Sequence, residues 1–210
     1  MIDTVIFDLD GVISDTQKLH SAVESEVLGC YGIEISPEEV TQKFAGMPSK
    51  DFFRSLLGDR DNADALCREM IRWKWEKLLV LDIEPVPGAA ELIERLHGKY
   101  KLAVASSSSV KFVEHVLHKL GLRAKFPVIT GIEEVSRGKP DPEIFLLTAK
   151  KLDSPPGRCV VIEDALHGMS AAKRAGMKCI GLTAEAPGAV PADLVVRKLN
   201  EINESVIGGL

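Results

Sequence analysis

The sequence predicts an α/β protein: a mostly parallel sheet flanked by helices, carrying an inserted all-helical cap. Three observations predict it. Short β-rich runs alternate with helix-like segments along most of the chain. Those runs are continuously apolar rather than alternating, as expected of strands covered on both faces. After the first run comes a stretch of roughly 70 residues with helical patterns and no convincing strand, which reads as a separate unit.

Each element follows from local residues. The first strand is the run at 4–8, TVIFD. The insert holds helical stretches at 19–31, 37–43, 50–57 and 63–80. This predicts a core of residues 1–14 and 86–210 and a cap of residues 15–85, with crossings near Ser14–Asp15 and Glu84–Pro87. Pro87-Gly88 opens a helix whose Leu92, Ile93 and Leu96 share a face, with Gly98 as its C′ residue. A second strand, KLAVAS at 101–106, leads into a stripe of Val110, Val113, Val116, Leu117 and Leu120 ended by Gly121. PVIT at 127–130 is the third strand, and Pro142 suits the first turn of a helix over 142–152. CVVIE at 159–163 and KCIGL at 178–182 follow, and 193–196 is a weaker last strand.

Composition bounds the function. With 210 residues, 45% apolar and 27% charged, the chain has ample core for one α/β domain with an insert. A net charge of −5 argues against a general nucleic-acid binder, and it leaves a small anionic substrate open because such a ligand feels only the local field. Cys30, Cys67, Cys159 and Cys179 show no zinc spacing; the last two sit in apolar runs and read as packed thiols. The acidic start lacks the basic region of a secretory signal, and no apolar run approaches the ~20 residues that span a bilayer. The expectation is a cytoplasmic enzyme or regulator, a monomer or weak homodimer, with no membrane partner.

The polar residues fall at the carboxyl ends of the predicted strands, where open α/β sheets bind ligands. Asp8 and Asp10 follow the first strand and lie on the same side of the chain, because strand side chains alternate. Two anions that close need a cation or a shared proton between them. Gly11 lets the backbone turn or approach a ligand. The second strand ends at Ser106, with Ser107 opening the next helix; the fourth ends at Glu163, followed by Asp164; the loop after the third carries Lys139. Ser106 and the free amides behind it can hold phosphate oxygens, and Lys139 can neutralise them. Asp8, Asp10 and Asp164 offer hard oxygen ligands, which favour Mg²⁺ over zinc. Each piece alone has an ordinary reading as a solvated acid, a helix cap or a surface lysine. Their joint placement at strand ends is what those readings leave unexplained.

These residues resemble the four motifs of the haloacid dehalogenase-like hydrolase superfamily, in its subfamily with a helical cap. Asp8-Leu9-Asp10-Gly11-Val12 is similar to the first motif, Ser106 to the second, Lys139 in GKPDP to the third, and Glu163-Asp164 before ALHGMSAAKRAG to the fourth. The resemblance implies a Rossmann-like core, Mg²⁺ dependence and phosphoryl transfer from a small phosphorylated metabolite through an aspartyl-phosphate. It implies Asp8 as nucleophile, Asp10 as general acid and then base, and Ser106 and Lys139 as the grip on the phosphoryl group, helped by amides near Leu9 and Ser107. The metal set it implies is Asp8, the carbonyl of Asp10 and Asp164, with Glu163 either a further ligand or the group that orients a bound water. Asp10 argues against a dehalogenase, which lacks this second aspartate. Bacterial receiver domains share the acidic, hydroxyl and lysine chemistry, but their acidic pair is adjacent and they carry no cap.

The cap carries the rest of the expectation. His20 stands where related phosphomutases use a histidine to position the second aspartate. FAGMPSK at 44–50 resembles the cap loop that meets substrate in many relatives, with Gly46 permitting close approach and Lys50 reaching an anionic tail. Trp73 and Trp75 are two apart on a helix and cannot share a face. His97, His115, His118 and His167 read as helix-surface or packing residues. The leading expectation is a Mg²⁺-dependent phosphatase acting on a small phosphorylated metabolite, of which a sugar phosphate is one candidate, with a hexose phosphomutase similar to β-phosphoglucomutase as the alternative.

Overall fold

The computed structural model describes residues 1–44 and 47–210. The chain opens with strand β1 (Thr4–Phe7) and leaves the sheet for four helices, α1 (Gln17–Gly29), α2 (Pro37–Phe44), α3 (Ser49–Leu57) and α4 (Ala63–Leu78). It returns through α5 (Ala89–Leu96), β2 (Lys101–Ala105), α6 (Val110–Lys119), β3 (Val128–Thr130), α7 (Glu143–Lys151) and β4 (Cys159–Glu163). It ends with α8 (Leu166–Arg174), β5 (Lys178–Leu182), β6 (Leu194–Val196) and α9 (Glu204–Gly208).

The six strands form one parallel sheet in the order β3-β2-β1-β4-β5-β6. Alternation along β1 divides the core: Val5 and Phe7 face α5 and α6, while Ile6 faces α7 and α8. Both faces are covered, which is why the strands read as unbroken apolar runs. β1 sits at the centre, between β2 and β4, so its carboxyl end is flanked by the ends of both neighbours. The direction of the order reverses there, which makes it the crevice of the sheet.

The cap, α1–α4, hangs from this centre by two strands of backbone. Asp15 N–H donates to Glu84 O at 2.9 Å and Val86 N–H to Ile13 O at 2.9 Å, so the outgoing and returning chains run side by side. At the far side, Gly138 leaves room for the ring of Pro48: a Cβ on it would stand 2.5 Å from Pro48 Cγ. The cap therefore closes directly onto the loop that carries Lys139.

Element ends shift by one or two residues from the sequence reading. β1 stops at Phe7 and β2 at Ala105, which leaves Asp8 and Ser106 just beyond the last ladder positions. Ser109, not Ser107, starts α6: its hydroxyl accepts Phe112 N–H, because Ser106 and Ser108 are engaged with Asp10. Gly98 and Gly121 hold the left-handed positions expected after α5 and α6, with φ of 80° and 71°.

Candidate active site

The ends of β1, β2 and β4 and the loop before α7 converge on a cavity closed by the cap. Lys139 is its hinge pin. Its Nζ lies 2.5 Å from Asp8 Oδ1 and 2.7 Å from Glu163 Oε1, and it also donates to Ala105 O at 3.3 Å. Burial alone would discharge this ammonium; Asp8 and Glu163 more than reverse that and hold it charged. Glu163 Oε2 in turn accepts Ala165 N–H at 2.7 Å, so the carboxylate is fixed at both oxygens. Gly168 makes this possible, since a Cβ there would overlap Glu163.

Asp8, Glu163 and Asp164 each present an oxygen within 4.8 Å of the others. Three carboxylates face a single ammonium. Burial, and then the neighbouring Glu163 charge, push the Asp164 carboxyl upward. Burial also raises Asp8, to about 8, against the pull of Lys139. Such a set is short of positive charge, all-oxygen and hard, so it could hold a divalent cation. Gly11 belongs to the same arrangement. Its φ is +87°, and a Cβ would stand 2.7 Å from Asp164 Cγ and overlap its Oδ2. The positive φ fits the turn expected at Gly11, and its missing side chain lets Asp164 approach.

Asp10 occupies a separate environment. Thr16 Oγ1 donates to its Oδ1, Ser108 Oγ to its Oδ2 at 3.0 Å, and Ser106 Oγ faces Oδ2 at 3.4 Å. His20 Nε2 lies 3.1 Å from Oδ1, poorly aligned for a straight hydrogen bond. Desolvation opposes ionisation of Asp10, and His20, Thr16 and Ser108 overcome it, holding the carboxyl well below its ordinary range. The two aspartates, two residues apart, are pushed in opposite directions.

The expected residues are placed as follows. Asp8, Asp10, Lys139, Glu163, Asp164, Ser107 and His20 line the cavity. Leu9 does not: its side chain is buried in the core, and its carbonyl accepts the turn amides of Ile13 and Ser14. Ser106 is fully buried behind Asp10, with its hydroxyl on Ser108 N–H at 3.0 Å, so Ser107 and Ser108 form the wall instead. Lys50 is exposed and off the cavity, while Ser49 lines it, because neighbouring helical residues point about 100° apart. Gly46 lies outside the described residues.

Sequence reasoning missed four contributors: Thr16, Ser108, Glu24 and Lys74. Thr16 and Ser108 bind Asp10, and Ser108 stood unassigned within the serine run. Glu24 and Lys74 meet across the cap from positions 50 residues apart, which no local pattern signals. Trp75 packs edge-on to His20 (centroids 5.7 Å) and against Phe112 of α6 (5.0 Å), while Trp73 faces Lys77, so the two tryptophans do take different faces.

A crevice at the centre of a parallel sheet, with an acidic triad, a buried lysine and a helical cap, defines a class of hydrolase, and sequence comparison agrees. The profile described as haloacid dehalogenase-like hydrolase matches residues 5–182. The chain is 33% identical to fructose-1-phosphate phosphatase YqaB of Escherichia coli over 84% of this chain and 94% of that protein. It is 32% identical to β-phosphoglucomutase of Bacillus subtilis over 94% and 90%. Among solved structures, a CbbY variant from Rhodobacter sphaeroides in complex with xylulose-(1,5)bisphosphate superimposes with a TM-score of 0.84, at 30% identity and 97% coverage of both chains. The chain belongs to the haloacid dehalogenase-like hydrolase family. Among the described residues, no helix is long and apolar enough to cross a membrane.

Proposed function

We propose that this protein is a Mg²⁺-dependent phosphatase that hydrolyses a small sugar phosphate through an aspartyl-phosphate on Asp8, with residues 15–85 as the substrate-facing cap. The observation that carries the reading is the division of the two aspartates: Asp8 on Lys139 within the acidic triad, Asp10 held apart by His20, Thr16 and Ser108. The similarity to sugar-phosphate phosphatases over most of the chain supports the substrate class.

Asp8, Glu163 and Asp164, with the Asp10 carbonyl, would hold the ion, which when bound offsets charge on the carboxylates and on the phosphoryl oxygens. Lys139 fixes Asp8 and shares its charge with the phosphoryl group. An ionised Asp8 oxygen attacks phosphorus in line, forming the O–P bond as the ester O–P bond breaks. Asp10 delivers a proton to the leaving oxygen. The incoming phosphate raises its proton affinity, and the His20 imidazole stands beside its Oδ1. Asp10 then takes a proton from the water that attacks the phosphoaspartate, which releases phosphate and restores Asp8. The Ser107 and Ser108 wall cradles the phosphoryl oxygens, and Ser106 fixes Asp10 and the Ser108 amide from behind. The cap excludes water until the sugar has left.

Phosphate release from a sugar-phosphate panel with Mg²⁺ tests this. Asp8→Asn abolishes turnover and keeps the fold; appreciable residual activity removes Asp8 from the nucleophile role. The contact of His20 with Asp10 favours a second reading, a hexose phosphomutase, in which a sugar hydroxyl reaches the phosphoaspartate before water. Phosphate release without a bisphosphate activator favours hydrolysis, and isomerisation dependent on one favours the mutase.

A further inference from the structure

The cap wall of the cavity carries a charge arrangement that the phosphoryl chemistry does not use. Lys74 from α4 and Glu24 from α1 are both buried, at 3% and 8% exposure, and both line the cavity. Lys74 Nζ lies 2.5 Å from Glu24 Oε1. It also donates to Ser49 Oγ at 2.8 Å and sits 4.9 Å from the centre of the Trp75 ring. An ammonium has three protons. A carboxylate, a hydroxyl and an aromatic face occupy all three directions.

The other lysine on the cavity, Lys139, is held by Asp8 and Glu163. Among the described residues lining the cavity, no lysine or arginine is therefore left for an anion on the cap side. The remaining polar groups there are Gln17, Ser21, Ser49 and His20, whose Nε2 is turned to Asp10 Oδ1, and Glu24 keeps lone pairs that accept hydrogen bonds. A second phosphate reaching this wall would stand against the Glu24 carboxylate in a poorly hydrated space, where like charges repel strongly. Hydroxyl groups meet only acceptors and donors that suit them.

The geometry points to Glu24 as a specificity-determining residue: by neutralising Lys74 it selects phosphate monoesters whose non-reacting part is an uncharged polyol, and turns away substrates with a second phosphate at that end. This rests on the phosphate-ester reading above.

The test is calorimetric binding to the Asp8→Asn protein with Mg²⁺, using two matched pairs: glucose 6-phosphate against glucose 1,6-bisphosphate, and fructose 1-phosphate against fructose 1,6-bisphosphate. The monophosphate binds at least about tenfold more tightly in one pair or both. Adding Glu24→Gln, which keeps volume and releases Lys74, shifts the ratio toward the bisphosphate by about tenfold or more. A structural ion pair alone would leave that ratio unchanged. Equal or tighter binding of the bisphosphates, no millimolar binding of either monophosphate, or an unmoved ratio in the Gln variant overturns the inference. If that variant does not fold, the two ratios with Glu24 in place decide. Hydrolysis of p-nitrophenyl phosphate by the wild type is the separate check: its absence sinks the phosphatase reading, while turnover combined with indifferent binding sinks only this one.

Discussion

Gly168→Ala sets two physical effects against each other. Gly168 lies inside α8, where local propensity alone makes alanine the better residue by about 1 kcal/mol. The tertiary structure reverses the sign. The new Cβ would overlap Glu163 Oε1 and stand 2.7 Å from Oε2, so the carboxylate must leave its place. Two contacts go with it, the buried one to Lys139 Nζ and the part-buried one to Ala165 N–H, each 2.7 Å. Breaking a buried ion pair costs about 3–5 kcal/mol, and the lower end applies because Lys139 keeps Asp8. The orphaned amide adds about 1 kcal/mol, which offsets the propensity gain. The net loss of about 3 kcal/mol lowers Tm by roughly 6–12 °C for a chain of this size. Circular-dichroism melting in chelator-treated buffer measures it. Because Gly168→Ala and Glu163→Ala remove the same contacts, the double variant loses little more than Glu163→Ala alone. A Gly168→Ala protein that melts at or above the wild type refutes the cradle.

Other outcomes follow from the same geometry. Chelation lowers Tm, and Mg²⁺ at about a hundred times its dissociation constant restores roughly 2.7 kcal/mol, or about 5–11 °C; Asp8→Asn blunts that response, and an equal response in the variant removes Asp8 from the ion's ligands. Trp75→Ala frees the cap face of His20 and lowers kcat by about five- to tenfold with a smaller change in KM; steady-state kinetics with an unchanged kcat would detach Trp75 from His20. At Asp193, desolvation is overcome by Lys173, the Cys179 N–H and Lys178, so the folded pKa is lowered. A depressed carboxyl contributes stability above its ordinary value near 4, and that stability is lost as pH falls through the folded value. Asp193→Asn therefore lowers Tm at pH 7, and the gap to the wild type narrows between about pH 5 and 3; a gap that widens on acidification contradicts the assignment.

The sequence alone determined the sheet, the insert and the acidic edge. Those properties are written in near neighbours: an apolar run such as CVVIE, a glycine after a helical stripe, a pair of carboxylates where a strand stops. Asp8, Glu163 and Asp164 were legible because strand ends fall together in a parallel sheet whatever the loops between them do, and Lys139 because its loop leaves the sheet at that same edge. Tertiary structure alone decided which polar group meets which. Ser106 turned to Asp10 rather than to the cavity, Gly11 served Asp164, and Ser49 rather than Lys50 reached the wall. Glu24 and Lys74 became a pair only when α1 packed on α4. Secondary structure answers to contacts a few residues away, whereas the charge of a buried wall depends on which distant side chains share its low dielectric, and that is fixed when the helices dock.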